Sequence, residues 1–245
     1  MKNKKEKVLI YDIENTPTVV TTWGLYEQNA IETLEEWYIL SYAYKWLGED
    51  KVHVVALPDF KGYSKDKKND KALCESLHKL FDEADLVVAH NGDSHDQPKS
   101  NARFIYHGLT PPSPYKSIDT KKIAKKYFKF NSNSLNNLGT YFKLGNKIEN
   151  SGIKLWRACM EGDMKAWATM KKYNKQDVVL LEKVYNKLVP WMSKFPLINK
   201  DYGECPHCKS RKIQSRGKWK YVSGDYKRLQ CQSCGHWFKG EKIDK

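Results

Sequence analysis

The chain of 245 residues carries 43 Lys and Arg against 29 Asp and Glu, which gives a formal net charge of +14 and an isoelectric point near 9.3. Because 40% of its residues are hydrophobic, it can bury a sizeable core, so the composition excludes a disordered polymer. A basic surface of this kind is typical of proteins that bind a polyanion, although net charge also serves solubility alone.

Apolar runs in the sequence are short. None approaches the roughly 20 residues that span a bilayer. The Lys-rich residues 1–7 also lack the small-residue cleavage site of a secretory signal. We therefore expect no membrane contact and a cytoplasmic location, in a bacterial cell or in the host cytoplasm if the chain is encoded by a phage.

The first predicted element is a strand. Residues 8–14 are apolar and partly β-branched, and Asn15-Thr16-Pro17 closes them with a turn. Residues 36–46 and 51–57 predict two further strands joined by a hairpin, and the Lys-rich residues 61–71 predict a loop.

Strands and helices then alternate. Leucine spacing predicts a helix over residues 71–85, and strands are predicted at Leu86–Ala89 and Tyr115–Asp119. Further helices are expected from Thr120, from Ser134 and over residues 163–188. This alternation is typical of an α/β domain with a central sheet.

The composition changes at residue 197. The remaining residues carry 12 Lys and Arg, 5 Asp and Glu, and four of the six cysteines, with too few apolar residues to fold without a covalent or metal link. We therefore divide the chain into a domain at 1–196 and a basic appendage at 197–245, with Pro190 and Pro196 marking the linker.

Paired acids end the first predicted strand. Asp12 and Glu14 are two residues apart and therefore point to the same face. Like charges held this close are costly unless a proton or a cation neutralises them, and carboxylate oxygens suit Mg²⁺ or Mn²⁺. The alternative is that both acids are ordinary solvated residues of a loop.

More acids follow in two other contexts. Asp93 and Asp96 come just after the strand that ends at Ala89, and Tyr173 and Asp177 are four residues apart on one helix face. Taken singly, Tyr173 is explained equally well as an aromatic at the edge of the core and Asp177 as an exposed acid.

Taken in order, these residues resemble the DEDD 3′–5′ exonucleases of the ribonuclease H-like superfamily, in the branch with a tyrosine in its third motif. The motif sequences are similar to those of domains in bacterial and phage proteins and of polymerase proofreading domains. The similarity extends over about residues 8–191. The matching motifs are Tyr11-Asp12-Ile13-Glu14-Asn15-Thr16-Pro17, His90-Asn91-Gly92-Asp93-Ser94-His95-Asp96-Gln97-Pro98 and Tyr173-Asn174-Lys175-Gln176-Asp177.

The resemblance implies that Asp12, Glu14, Asp96 and Asp177 hold two Mg²⁺ or Mn²⁺ ions and that Tyr173 positions the attacking water. It also implies an α/β fold, a ribonuclease H-like mixed sheet flanked by helices. The implied reaction is two-metal-ion hydrolysis at nucleic-acid 3′ ends. We expect DNA ahead of RNA as the partner, and nothing in the sequence identifies a contact to a 2′-hydroxyl.

The second motif departs from the family's pattern. Asp96 is chosen over Asp93 because it lies five residues after Asn91, as in similar proofreading domains. His95 and Ser100 stand where the family has apolar residues, and Gln97 is also polar. These three residues favour the alternative of a weakly active or inactive nucleic-acid-binding protein. A structure-specific endonuclease is a second alternative.

Two histidines of the second motif offer another chemistry. His90 and His95 could act as general bases. We expect a structural role for His90, because it lies at the end of a strand.

The appendage carries two Cys-x-x-Cys pairs. Cys205 and Cys208 are separated from Cys231 and Cys234 by the spacing of a tetrahedral zinc site. Four thiolates close the coordination shell, so a Zn²⁺ ion here would be structural. The alternative is isolated buried or redox-active thiols.

This region resembles zinc ribbons of transposases and other nucleic-acid proteins. Basic and aromatic side chains alternate between the cysteine pairs, as expected of a surface that contacts phosphates and stacks on bases. The predicted nucleic-acid-binding residues are Arg211, Lys212, Arg216, Lys218, Trp219, Lys220, Lys227 and Arg228. Two alternatives are that Trp219, Tyr221 and Trp237 form the ribbon's own core, and that the ribbon docks onto a protein partner.

Overall fold

The structure is a computed structural model that describes residues 6–26, 29–148, 151–192 and 202–243. Its strands are β1 (Val8–Asn15), β2 (Val19–Thr21), β3 (Glu32–Glu35), β4 (Ile39–Trp46), β5 (His53–Ala56), β6 (Leu86–Ala89), β7 (Lys116–Asp119), β8 (Ile213–Tyr221), β9 (Gly224–Cys231) and β10 (Trp237–Lys242). Its helices are α1 (Lys71–Glu83), α2 (Asp96–Tyr106), α3 (Thr120–Tyr127), α4 (Leu135–Tyr141), α5 (Ile153–Glu161) and α6 (Met164–Leu188).

A mixed five-stranded sheet with the order β5-β4-β1-β6-β7 forms the centre of the main domain. β4 pairs antiparallel with β1 and with β5, whereas β6 lies parallel to both β1 and β7. The predicted hairpin between β4 and β5 is confirmed. Helices flank this sheet, as expected for the predicted α/β class.

The two faces of β1 belong to different parts of the core. Leu9, Tyr11 and Ile13 pack in the apolar cluster that includes α1, whereas Val8 and Ile10 pack with the second half of α6. Because side chains alternate along a strand, Asp12 and Glu14 continue the Val8–Ile10 face. The paired acids therefore point toward α6.

Helix α6 runs along this face of the sheet. The Asp163 side chain caps its N-terminus by accepting hydrogen bonds from the amides of Lys165 and Ala166. Its first half contributes Trp167 and Met170 to one apolar cluster, and its second half packs in the other. Buried Asn174 and Asp177 lie between these two apolar portions and carry polar groups into the interior.

Three elements have no counterpart among the predictions: α2, α5 and the β2–β3 hairpin. In α2 the buried positions are held by Asp96 and Ser100 as well as Phe104, so the apolar periodicity of a packed helix is missing from its sequence. In the hairpin no described side chain is buried, and its sequence therefore lacks the alternation of a packed strand.

Strands β8 to β10 form a separate antiparallel sheet with the order β10-β9-β8; we call residues 202–243 the ribbon. The ribbon contacts the main domain through His236 Nδ1, which lies 3.1 Å from the Pro190 carbonyl oxygen, and through the His207 ring beside Tyr185. The predicted boundary at 196/197 falls within 193–201, outside the described residues. Among the described helices, none combines the length and apolar character needed to cross a bilayer.

Candidate metal centre

Three acids from distant parts of the chain meet where α6 crosses the end of β1. Asp12, Glu14 and Asp177 each bring a carboxylate oxygen within 4.8 Å of the other two; we call them the acid cluster. Asp12 and Glu14 lie on one face, as strand geometry predicts. Asp177 is buried, which contradicts the alternative of an exposed helix acid.

Asn174 orients the first acid. Its amide Nδ2 donates to Asp12 Oδ2 at 2.8 Å, and its Oδ1 accepts from Ser41 Oγ at 3.1 Å. Asn174 lies one helical turn before Asp177, so the same stretch of α6 supplies both groups. The third motif contained Asn174, but sequence reasoning gave it no role, because its neighbours on β1 and β4 are visible only in the fold.

Asp96 lies beside the acid cluster at the start of α2. β1 pairs with β6 only as far as Ile10 and continues beyond it. In this unpaired part of β1, the Ile13 amide donates to Asp96 Oδ1 at 3.2 Å. Asp96 is 3% exposed, and its charge helps to raise the pKa of Asp12.

Asp93 occupies a different environment. Its carboxylate accepts hydrogen bonds from Lys122, Ser117 and Gln97, and Lys122 Nζ lies 2.7 Å from Asp93 Oδ2. These partners hold the pKa of Asp93 below its usual value although partial burial opposes that shift. Asp93 is thus paired with a surface lysine, and Asp96 is the acid of the second motif that lies near Asp12.

Burial and mutual repulsion perturb the acid cluster strongly. Burial, together with the charges of Asp96 and Glu14, raises the pKa of Asp12 well above its usual value. Burial and the charge of Asp177 raise the pKa of Glu14 to about 8. Negative charge at this position is therefore costly until a cation compensates it.

Lys147 supplies part of that compensation. Its Nζ lies 2.5 Å from Asp177 Oδ2 and 3.2 Å from the Tyr173 hydroxyl. Asp177 raises the pKa of Lys147 although burial opposes this shift. Sequence reasoning missed Lys147, because nothing in its local sequence indicates that it reaches α6.

The donor set fits a hard divalent cation. All its donors are carboxylate oxygens, which Mg²⁺ and Mn²⁺ prefer. Asp177 Oδ1 is buried and has no hydrogen-bond partner among the described residues, so a lone pair remains available at the cluster. One lysine cannot compensate three ionised carboxylates, so ionisation of the whole cluster requires an added cation.

The two histidines of the second motif differ in their surroundings. His90 is fixed between Thr120 Oγ1 (2.8 Å from Nδ1) and the Asn133 carbonyl oxygen (3.0 Å from Nε2), and burial lowers its pKa to about 4. These contacts agree with the predicted structural role. His95 is part-exposed, and its Nδ1 lies 3.8 Å from Asp96 Oδ2.

The four paired cysteines meet in the ribbon as their spacing predicts. All four sulfurs lie within 4.8 Å of one another, and the Cys205–Cys234 and Cys208–Cys231 sulfurs are 3.6 Å apart. Zn–S bonds of about 2.3 Å in a tetrahedron place sulfurs about 3.8 Å apart, so the cluster fits a structural zinc ion. Although burial opposes it, amide hydrogen bonds from Cys234 and Ser233 lower the pKa of Cys231 to about 7, which favours a thiolate.

The ribbon sheet has two different faces. Cys205, Leu229, Cys231 and Phe238 form its buried core, so the alternative in which Trp219, Tyr221 and Trp237 form that core is wrong.

Cations cover aromatic rings on the other face. The Arg228 guanidinium lies 5.2 Å from the Trp237 ring centre, and Lys239 Nζ lies 3.4 Å from that of Tyr226. Of the eight residues predicted to bind nucleic acid, Trp219 and Arg228 are half-buried and the rest are exposed. Three of them have acidic partners, in the pairs Arg211–Glu204, Lys218–Asp225 and Lys227–Glu241.

A mixed sheet with an acid cluster at its centre and helices on its flanks defines an α/β protein with a candidate divalent-cation centre. A family model described as RNase_H superfamily matches residues 50–189, more than half of the chain. The chain therefore belongs to the RNase_H superfamily. The matched segment includes Asp96 and Asp177 and begins after β1.

The fold is also similar to a solved structure, the family B DNA polymerase from the hyperthermophilic archaeon Pyrobaculum calidifontis. The TM-score is 0.53 at 15% sequence identity, over 76% of this chain and 25% of the polymerase chain. This chain thus spans about a quarter of that polymerase, and the likeness concerns the fold alone. No curated protein matches the sequence.

Proposed function

We propose that this chain is a metal-dependent 3′–5′ exonuclease that hydrolyses phosphodiester bonds at nucleic-acid 3′ ends, with DNA preferred to RNA. The observation that carries the proposal is the convergence of Asp12, Glu14 and Asp177, with Asp96 beside them, in a chain of the RNase_H superfamily. The order of the three motifs, which resembles that of the tyrosine-containing exonucleases, supports the 3′–5′ polarity.

Two Mg²⁺ or Mn²⁺ ions, held by Asp12, Glu14, Asp96 and Asp177, would supply an activated water and charge stabilisation at the scissile phosphate. Asn174 fixes the orientation of Asp12 through its 2.8 Å hydrogen bond. The Tyr173 hydroxyl would hydrogen-bond the attacking water and fix its direction. Since small displacements of reacting groups cost large factors in rate, these supporting contacts matter for turnover.

Lys147 has a separate role in this proposal. Because its Nζ contacts Asp177, it stabilises the acid cluster without bound metal and competes with a divalent cation for the same carboxylate. We expect Lys147 to release Asp177 when metal binds and to remain near Tyr173.

The ribbon would hold one structural Zn²⁺ through Cys205, Cys208, Cys231 and Cys234. Its basic and aromatic surface would contact the nucleic-acid strand outside the acid cluster, through phosphate contacts and base stacking. The interleaving of Arg228 and Lys239 with Trp237 and Tyr226 supports this role.

A weakly active binding protein is the second candidate. Ser100, which stands at an apolar position of the family pattern, is fully buried, and its Oγ finds no hydrogen-bond partner in the described part of the chain. An unsatisfied hydroxyl on the buried side of α2 would weaken the packing that positions Asp96. This observation favours reduced activity.

The products formed from linear and circular strands distinguish an exonuclease, an endonuclease and a binding protein. A 5′-labelled single-stranded DNA, an RNA of the same sequence and a circular single-stranded DNA would be incubated with Mg²⁺ or Mn²⁺. The proposal predicts a ladder of strands shortened from the 3′ end and an intact circle. Cleavage of the circle would establish an endonuclease, and binding of both linear strands without cleavage would establish the binding protein.

A further inference from the structure

A hairpin follows β1, the strand that carries Asp12 and Glu14. We call its described residues, 17–26 and 29–37, the arm; β2 and β3 form its stem. No side chain of β2 or β3 is buried. Two-stranded hairpins are at best marginally stable alone, so a stem whose strands bury no side chain is suited to contact another molecule.

The tip of the arm is apolar and aromatic. Trp23 is 86% exposed, and Leu25 and Tyr26 are each 97% exposed. Three large apolar side chains this exposed within four residues favour a binding surface.

The charge of this region restricts what it can bind. From Val8 to Tyr44 the sequence contains no Lys, Arg or His, although the whole chain has a net charge of +14. The arm itself carries Glu32, Glu35 and Glu36. The arm therefore supplies no cation of its own to a phosphate backbone, and the cations that reach it, Lys68 at Glu35 and Lys99 at the Trp37 ring, contact its base. The tip suits a ligand that presents an uncharged, flat, apolar surface. The terminal base pair of a duplex is such a surface, because its phosphates lie at the periphery.

The arm is anchored to the same strand as the acids. The Thr16 amide donates to the Tyr38 carbonyl oxygen and the Tyr38 amide donates to Thr16 Oγ1, both at 3.0 Å, and both residues are buried. This double hydrogen bond closes the base of the arm two residues after Glu14. Trp23 lies nine residues beyond Glu14, so the two residues are at most about 30 Å apart. One short duplex could therefore contact both Trp23 and the acid cluster.

We propose that the arm is a wedge that stacks on the terminal base pair of a duplex and separates the strand whose 3′ end enters the acid cluster. Apolar side chains inserted at base steps unstack them in other nucleic-acid complexes, and the free energy of contact offsets the cost of unstacking. This inference rests on the proposed function and deepens it, because it assigns duplex ends as a substrate class.

The first test compares rates on two substrates. The triple variant Trp23→Ala/Leu25→Ala/Tyr26→Ala should lose about tenfold or more in kcat/KM on a blunt duplex and change by less than about twofold on the single strand of the same sequence. Ile105→Ala, which removes an exposed apolar side chain from α2, is the matched control and should change neither rate. Since the tip residues make no buried contacts, the triple variant should keep its melting temperature.

A second test does not depend on hydrolysis. A duplex with 2-aminopurine at its 3′ terminus would be titrated with the Asp12→Asn variant, with and without the triple substitution. The intact arm should raise the 2-aminopurine fluorescence by unstacking the base, and the triple variant should not. If the wild-type chain cleaves nothing but this signal appears, the hydrolytic function fails and the wedge stands.

Equal losses on single strand and duplex, or no loss on either together with an unchanged 2-aminopurine signal, would overturn the wedge. The arm would then be a surface for a basic protein partner, which its acidic residues would attract.

Discussion

The four cysteines of the ribbon lie within residues 205–234, whereas the acids of the candidate metal centre come from positions 12, 14, 96 and 177. The ribbon core contains little besides two of its cysteines, Leu229 and Phe238, so we expect its fold to depend on a metal ion bound by the four cysteines. The acid centre is embedded in two large apolar clusters that form without it. We therefore expect the four cysteines to determine the folding of the ribbon and the acids to determine the activity of the main domain.

The largest expected effect is the unfolding of the ribbon when its cysteine cluster is disrupted. Cys208→Ser, or chelation of zinc, should unfold residues 202–243, because a structural Zn²⁺ site contributes about 10–16 kcal/mol to folding. The main domain should keep its melting temperature. Amide protection of both regions by hydrogen exchange, compared with that of the zinc-loaded wild type, measures this directly. Retained ribbon protection without metal would contradict the account.

A comparison of two acids sharpens the assignment of the second motif. Asp96→Asn should lower the turnover rate by about a hundredfold or more, because Asp96 lies beside Asp12. Asp93→Asn is matched in chemistry and lies three residues away, but Asp93 pairs with Lys122 and should leave the rate within about twofold. Single-turnover hydrolysis of both variants gives the ratio, and a larger loss for Asp93→Asn would reverse the assignment.

A smaller effect concerns the lysine within the acid centre. Lys147→Met removes a cation that competes for Asp177, so we expect Mn²⁺ to bind about tenfold more tightly while the metal-free protein melts at a lower temperature. Isothermal titration and thermal melting provide the two measurements. Lys183→Met serves as the control, because Lys183 lies on the same helix as Asp177 and its Nζ donates to the Leu144 carbonyl oxygen at 3.4 Å, away from the acids. Weaker Mn²⁺ binding in Lys147→Met would show that the lysine supports the metal site.

The smallest effect is a pH dependence. The folded-state pKa of Glu14 is raised to about 8, so without metal the folded state favours the protonated carboxyl. The protonated Glu14 carboxyl therefore contributes to the free energy of unfolding below its usual pKa, and this contribution is lost as pH rises toward 8. The melting temperature of the metal-free wild type, relative to Glu14→Gln, should therefore fall by a few degrees between pH 5 and 8, and Mg²⁺ should restore it. A difference that stays constant with pH would refute the shift.

The same contrast explains what the sequence could predict. The cysteine spacing is local, so it indicated the cluster directly. β1 and α6 were also predictable, because Val8 to Ile13 and the stripe that includes Val184 carry apolar patterns. These two elements brought Asp12, Glu14 and Asp177 within reach of each other.

Contacts between distant elements were not predictable. Lys147 and Asn174 reach the acid cluster only through the packing of α6 against the sheet. The arm lacked a pattern because none of its strand side chains is buried. α2 was not predicted because Asp96 and Ser100 occupy buried positions where a packed helix usually has apolar residues. Such local inconsistencies are expected where side chains serve a site rather than the core.

The most direct test of the central claim is the single-turnover rate of shortening of a 5′-labelled single strand, measured over a Mn²⁺ titration for the wild type and Asp12→Asn. The account predicts metal-dependent shortening from the 3′ end in the wild type and a loss of about a thousandfold or more in Asp12→Asn, with an unchanged or higher melting temperature. Equal rates in the two proteins would contradict a hydrolytic role for the acid cluster.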